Sequence, residues 1–385
     1  MTLALAGRDL RRGVPVEVML AGDRVAGVRD LPPGAVPADQ WLLPGLVDIQ
    51  VNGYAGVDLN AADITADGVV EIVRRLARGG VTRFCPTICT QSGERMMRAL
   101  GVVAAACRAH PAVARAVPGI HVEGPYISRE DGPRGAHPAE FVRAPDWDEF
   151  ARFQRAADGR IKILTLSPEW PGAADFIAKT VASGVTVAIG HTAASPEAIR
   201  GAVAAGARLA THLGNGAHAV LPRHPNYIWE QLAADALSAS IIADGHHLPP
   251  AVVKTIVRAK GIDRTVLISD AVALAGMPPG DYDWIGLKVT LSPSGRISLA
   301  GTPYLAGSAL ALAEAIPKVI EYAGVRLSDA VTMASTNPAR LLGIETGGLA
   351  AGAAADFVVA RYAPGALGLE VLQTVASGET VYANA

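Results

Sequence analysis

From residue 46 onward, short apolar runs alternate with longer, Ala-rich segments in which apolar positions recur at three- and four-residue spacing. Eight such runs can be marked: LVDIQV (46–51), VTRFCPT (81–87), IHVEG (120–124), KILTLS (162–167), TVAIGH (186–191), LATHL (209–213), ASIIADG (239–245) and TVLISDA (265–271). The segments between them, such as DGVVEIVRRLARGG and PEAIRGAVAAGA, end in Gly, as amphipathic helices with glycine caps do. Strand and helix in alternation predict a parallel sheet with crossover helices, and eight strands predict a closed barrel. Before this region the chain reads as short strands with hairpin punctuation: VPVEVML (14–20), the turn Ala21-Gly22-Asp23-Arg24, then VAGV, followed by the Pro-rich LPPGAVP. After it, IGLKVTLSPSGRISLAG (285–301) reads as a hairpin, and two helical stretches lead to a last β-like part, DFVVARYAPG to TVYAN. Neither end has enough strands to bury a face alone, so the two are expected to pair. The expectation is an α/β protein: a (β/α)8 barrel over 45–349, with a small satellite sheet domain formed by 1–44 and 350–385.

In such a barrel the chemistry sits where strands end and the following loops begin. The run endings are rich in metal-competent and titratable groups. Run 1 closes with Asp48, Gln50 and Asn52, run 3 with His121 and Glu123, run 5 with His191, run 6 with His212, run 7 with Asp244, His246 and His247, and run 8 with Asp270. Singly, each has an ordinary role open to it: a hydrogen-bonded structural histidine for His191 in IGHT, a helix N-cap for Asp270. Glu123 is harder to dismiss, because a carboxylate closing an apolar strand is buried without compensation unless a cation or strong donors meet it. Glu123, His191 and His212 match the count of a catalytic site in which three protein ligands leave one position for water. The loop after His212, LGNGAHAVLPRHPN, carries Asn215, His218, Arg223 and His224 and is either a substrate loop or a solvated connection.

Composition narrows the partners. With 34 Lys and Arg against 36 Asp and Glu the formal charge is −2, so no global basic field favours nucleic acid or acidic membranes. Three cysteines, Cys85, Cys89 and Cys107, do not make a disulfide framework and are read as packed thiols in a reducing, cytoplasmic setting. The N-terminal MTLALAGRDLRR lacks the apolar stretch of a secretion signal, and SALALAEAIPKVI is broken by Glu314 and Lys318, so neither export nor a membrane span is expected.

Across nearly the whole chain the motifs PGLVDIQVNG, GIHVEGPYIS, LSPE, IGHTAAS, THLGNGAH, IIADGHH, LISDA and LAGSAL fall in the order in which they occur in a known family. The chain resembles the N-acetylglucosamine-6-phosphate deacetylases of the amidohydrolase superfamily. That resemblance implies a TIM-like barrel with a satellite sandwich, metal ligation by Glu123, His191 and His212, and catalysis by Asp270. It further implies substrate contacts from His137 (in RGAHPAEF) and His247, from Asn215 with Gly216, from Arg223 at a phosphate, and from Leu305, Ala306 and Gly307 lining the sugar site. Many amidohydrolases hold a second metal with His-x-His on strand 1. Here the sequence reads Gln50-Val51-Asn52, which resembles the single-metal branch, and the two amides are counted with the substrate contacts. An amide pair binds a divalent cation weakly beside imidazoles, so one ion is expected, zinc first, with iron, manganese or cobalt compatible with the same ligands. The implied reaction converts N-acetylglucosamine 6-phosphate to glucosamine 6-phosphate and acetate in amino-sugar catabolism. The implied assembly is a homodimer in which a loop carrying His224 or Tyr227 reaches the partner's site. Departures from the family pattern, LGNGAHAVLPRHPNYIW after the sixth run and Ala136 before His137, fall on substrate contacts. Two alternatives stand beside this reading: an amidohydrolase for another N-acetylated sugar or an N-acyl amino acid, and a non-catalytic sugar-phosphate-binding protein.

Overall fold

The computed structural model describes residues 2–284, 287–301 and 305–384. Eight parallel strands form one sheet in sequential order: β1 (Leu46–Val51), β2 (Val81–Cys89), β3 (Ile120–Glu123), β4 (Ile161–Leu166), β5 (Thr186–Ile189), β6 (Leu209–Ala210), β7 (Ser238–Ile241) and β8 (Thr265–Leu267). Each overlaps one of the apolar runs, and β3 to β8 end before their runs do. The sheet closes past the end of β8, where Val51 bridges Ala271 in parallel, Asp270 N donates to Gln50 O at 3.0 Å and Asn52 N donates to Ala271 O at 2.8 Å. All six residues of β1 and all four of β3 are buried, as expected of strands covered on both faces.

The covering helices form for legible reasons. Ser92 caps the helix Gly93–Ala109 by accepting from Arg95 N, and that helix buries Met96, Leu100, Val103 and Cys107 against the strands. Ser195 caps Pro196–Ala204 in the same way, with proline at the first turn, where no amide is needed.

The satellite layer is one continuous seven-stranded sheet, in the order 379–383, 370–376, 357–361, 40–44, 2–9, 15–21, 24–30. Only the pairing of 2–9 with 40–44 is parallel. The two chain ends join where Gln40–Pro44 runs antiparallel to Phe357–Arg361. The sheet encloses its own core, in which Leu5, Val16, Val18, Leu20 and Val25 from one end meet Phe357, Val359 and Val375 from the other. Its strand Thr2–Asp9 has no counterpart in the hydrophobic pattern. TLALAGRD is poor in β-branched residues and holds its place by pairing on both sides.

The hairpin expected over 285–301 is present as Leu287–Leu291 with Arg296–Leu299, while Ile285 and Gly286 lie outside the described residues. It is extended to four antiparallel strands by Gly280–Trp284 and Leu305–Ser308. The last of these returns to the barrel rim, where Ser308 bridges Ala271 and accepts from Val272 N at 3.0 Å. Among the described residues no helix is long and apolar enough to cross a membrane.

Candidate active site

Glu123 ends β3, His191 lies two residues beyond β5, and His212 two beyond β6. One carboxylate oxygen gathers all three nitrogens that approach it: Glu123 Oε1 lies 3.2 Å from His191 Nε2 and 2.9 Å from His212 Nε2, and accepts from Gln50 Nε2 at 2.9 Å. One ligand atom from each of Glu123, His191 and His212 lies within 4.8 Å of the others, and all three residues are buried.

The donor set suits a divalent cation, and a second observation agrees. His191 Nδ1 sits 2.9 Å from the Pro133 carbonyl, which can only accept, so Nδ1 donates there and Nε2 is the ring atom turned to the carboxylate. At 3.2 Å that Nε2 and Glu123 Oε1 are bridged by a proton or by a cation. Burial alone would raise the Glu123 carboxyl, but its hydrogen bonds and charge interactions with His191 and His212 hold it well below its ordinary value. Burial opposes charge on His212, yet Glu123 draws that imidazole's pKa upward.

Asp270 stands beside this group. Its Oδ1 accepts from Asn52 Nδ2 at 2.7 Å. Burial and the charge of Glu123 push its carboxyl up to about 6, against the opposite pull of His212, His247 and Asn52. His191, His212 and Asp270 all adopt positive φ, +49°, +30° and +50°. This region costs a non-glycine residue roughly 1–2 kcal/mol, and such strain gathers at functional sites.

Around the centre, the His137 ring packs edge-on to His191 at 4.4 Å between centroids, and burial pushes its pKa down to about 3, so it is neutral. Gly216 (φ +56°) closes on the other imidazole atoms: a Cβ there would lie 2.6 Å from His191 Nδ1. Asn215 Nδ2 donates to the His212 carbonyl at 3.3 Å. His247 Nδ1 is held by Asp244 Oδ2 at 2.6 Å, while His246 turns away to the Ser294 carbonyl at 3.0 Å. Leu305, Ala306 and Gly307 lie on the strand that reaches Ala271, next to Asp270.

Several residues named from the sequence are not drawn in. Arg223 and His224 are exposed on the loop after β6, with no hydrogen bond or ion pair among the described residues. Tyr227 is buried and its hydroxyl is occupied, accepting from His218 N at 2.8 Å. His121 binds inside the barrel, to the Ile49 carbonyl at 3.0 Å and Thr165 Oγ1 at 2.7 Å, and burial pushes its pKa down to about 4. Sequence reasoning missed Cys89. Its Sγ lies 3.0 Å from Asn52 Oδ1 and 3.6 Å from Glu123 Oε2, because Cys89 pairs in register with Glu123 at the rim. The available signal was its position, closing the second strand beside two ligand-bearing neighbours.

The amidohydrolase family model matches residues 41–381, and the chain belongs to the amidohydrolase family. Among its curated relatives, the N-acetylglucosamine-6-phosphate deacetylase of Bacillus subtilis is 32% identical over 350 residues, spanning 90% of this chain and 86% of that protein. The N-acetylgalactosamine-6-phosphate deacetylase of Escherichia coli O157:H7 is 32% identical over 330 residues, 86% of this chain and 85% of that protein. Among solved structures, an aspartate-to-alanine mutant of the Mycobacterium smegmatis N-acetyl-D-glucosamine-6-phosphate deacetylase, in complex with N-acetyl-D-glucosamine-6-phosphate, superposes with a TM-score of 0.86. It is 32% identical, and the match covers 99% of both chains.

Proposed function

We propose that this protein hydrolyses the acetamide of N-acetylglucosamine 6-phosphate, giving glucosamine 6-phosphate and acetate, as a step of amino-sugar catabolism in the cytoplasm. The observation that carries the reading is the buried Glu123, His191 and His212 group with Asp270 at the same rim, in a chain whose relatives carry that activity in their names. Glu123, His191 and His212 would hold one divalent cation, zinc first, with iron, manganese or cobalt accepted by the same donors. When bound, such an ion supplies Lewis-acid activation of water and of the acetamide carbonyl.

The rest falls to the chain's own residues. Asp270, whose carboxylate feels the charges of Glu123 and His212, takes the proton as water adds to the carbonyl carbon, and returns it to the sugar nitrogen as the C–N bond breaks. Asn52 keeps one oxygen of that carboxylate engaged at 2.7 Å and so fixes its plane. Neutral His137 donates to the carbonyl oxygen as negative charge develops there. Asp244 fixes the tautomer of His247, leaving Nε2 for a sugar hydroxyl. Asn215, Gly216 and the 305–307 strand border the sugar, and Gln50 steadies the Glu123 carboxylate. Arg223, exposed on its own subunit, would meet the 6-phosphate in the site of a second subunit of a homodimer. Residues 1–44 and 350–385 form the satellite domain in this reading, and 45–349 the catalytic barrel.

The test is acetate release from a panel of acetamido sugars, with and without 6-phosphate and including the galacto epimer, by protein of measured metal content. Turnover concentrated on N-acetylglucosamine 6-phosphate is expected. Turnover confined to unphosphorylated sugars or N-acyl amino acids would replace the substrate, and tight sugar-phosphate binding without acetate release would replace the reaction.

A further inference from the structure

Among the described residues the general base of the proposed reaction has one side-chain hydrogen bond, from Asn52 Nδ2 to Asp270 Oδ1 at 2.7 Å. An ionised carboxylate can only accept, so the amide nitrogen must face Asp270 and the amide oxygen must face the other way. In that direction lies Cys89, whose Sγ is 3.0 Å from Asn52 Oδ1. A thiol has a single hydrogen to give. The second oxygen within reach, Glu123 Oε2, is farther, at 3.6 Å, so the shorter contact takes it.

We infer that Cys89 is a positioning residue for the general base: its S–H locks the Asn52 amide in the orientation that holds Asp270 ready for proton transfer. The inference rests on Asp270 being the base, as proposed above. Each link of the relay is fixed from outside. Cys89 N donates to Asn60 Oδ1 at 2.7 Å while Asn60 Nδ2 donates to the Thr87 carbonyl at 3.1 Å, so the end of β2 is clamped. Asn52 N donates to the Ala271 carbonyl at 2.8 Å and its own carbonyl accepts from Leu59 N at 3.0 Å, so the Asn52 backbone cannot follow a swinging side chain. The remaining freedom is the amide's own rotation. A flipped amide would turn its carbonyl oxygen toward the carboxylate, acceptor against acceptor, and release Asp270 from its plane. A donor at position 89 adds to that repulsion in disfavouring the flip.

The tests use the full-length, metal-loaded protein. Cys89→Ala should lower kcat about 5-fold with KM and metal content unchanged, the size expected from one lost neutral hydrogen bond. Cys89→Ser, which restores a donor, should recover most of that loss. In an Asn52→Ala background, itself lowered about 10-fold by loss of the bond to a charged acceptor, Cys89→Ala should cost nothing further. Full activity in Cys89→Ala, equal loss in Cys89→Ala and Cys89→Ser, or additive losses in the double variant would each overturn the inference. Metal lost from Cys89→Ala would also overturn it, since the thiol would then be serving Glu123. Asp270→Asn separates the two readings: if it keeps turnover, the base assignment fails, whereas if it is inactive and Cys89→Ala is unimpaired, only the role of Cys89 fails.

Discussion

The tightest geometric demand at the candidate metal group falls on a residue with no side chain. Gly216 has φ +56°, and a Cβ built on it would meet His191 at 2.6 Å from Nδ1, 3.0 Å from Cε1 and 3.2 Å from Cγ. To regain ordinary contact the ring must retreat by about 0.8 Å. It has little room to do so. Its Nδ1 is tied to the Pro133 carbonyl at 2.9 Å, and the His137 ring packs against it. Gly216→Ala should therefore displace His191 Nε2 from its place opposite Glu123. Disturbing the groups that orient a metal-binding histidine costs about 10–100-fold in metal affinity, and a displacement near 1 Å costs on the order of 100-fold in rate. The left-handed backbone adds about 1–2 kcal/mol of destabilisation. Gly159→Ala is the control. Its φ is +71° with nothing within 4 Å, so it incurs the backbone term alone and should bind metal normally. The assay is competitive titration with a chromogenic chelator, alongside urea unfolding. Metal affinity in Gly216→Ala equal to that of Gly159→Ala would refute the claim that this glycine seats the ligand.

Three other expectations follow from the same geometry. His191→Ala or His212→Ala should leave purified protein depleted of metal by elemental analysis, since each removes one of three ligand atoms; a full complement would rule out the group. Arg223→Ala should raise KM about 10-fold or more for phosphorylated substrate and leave unphosphorylated acetamido sugars unaffected, as steady-state kinetics on both would show. Asp48 is buried, which pushes its carboxyl up to about 7, with only the Ser269 and Gln50 contacts opposing. A folded-state pKa above the unfolded one means the folded protein binds the extra proton, so stability falls as pH rises from about 4 to about 7, by up to about 4 kcal/mol. Asp48→Asn keeps the acceptor for Gln50 N and Ser269 N and abolishes that slope, and an equal pH slope in the two proteins by urea unfolding would contradict the assignment.

The barrel was legible because β strands covered on both faces read as continuous apolar runs, and the polar residues that interrupt them, Glu123, His191, His212 and Asp270, stand out against that background. What the pattern did not carry has physical causes. Thr2–Asp9 is a strand because two neighbours pair with it, and TLALAGRD has no strong preference of its own. Gly280–Trp284 and Leu305–Ser308 join a hairpin whose core, Val289, Leu291 and Ile297, is completed by Val272 and Leu274 from just beyond β8. The left-handed backbone of His191, His212 and Asp270 has no local signature, since none is glycine. Cys89 meets Asn52 only because the barrel sets the ends of β1, β2 and β3 side by side, a relation among residues far apart in sequence. No pattern in the sequence marks Arg223, which resemblance alone places at the phosphate, and the loop after β6 leaves it exposed.

The central claim, that Asp270 moves the proton at a centre held by Glu123, His191 and His212, is tested most directly by acetate release from N-acetylglucosamine 6-phosphate by Asp270→Asn, measured at metal content equal to the unaltered protein. Asparagine keeps the size of the side chain and cannot accept the proton. A fall in kcat of at least about 100-fold, the lower range for loss of a general acid–base group, is predicted with metal retained. Turnover close to that of the unaltered protein at the same metal content would contradict the account.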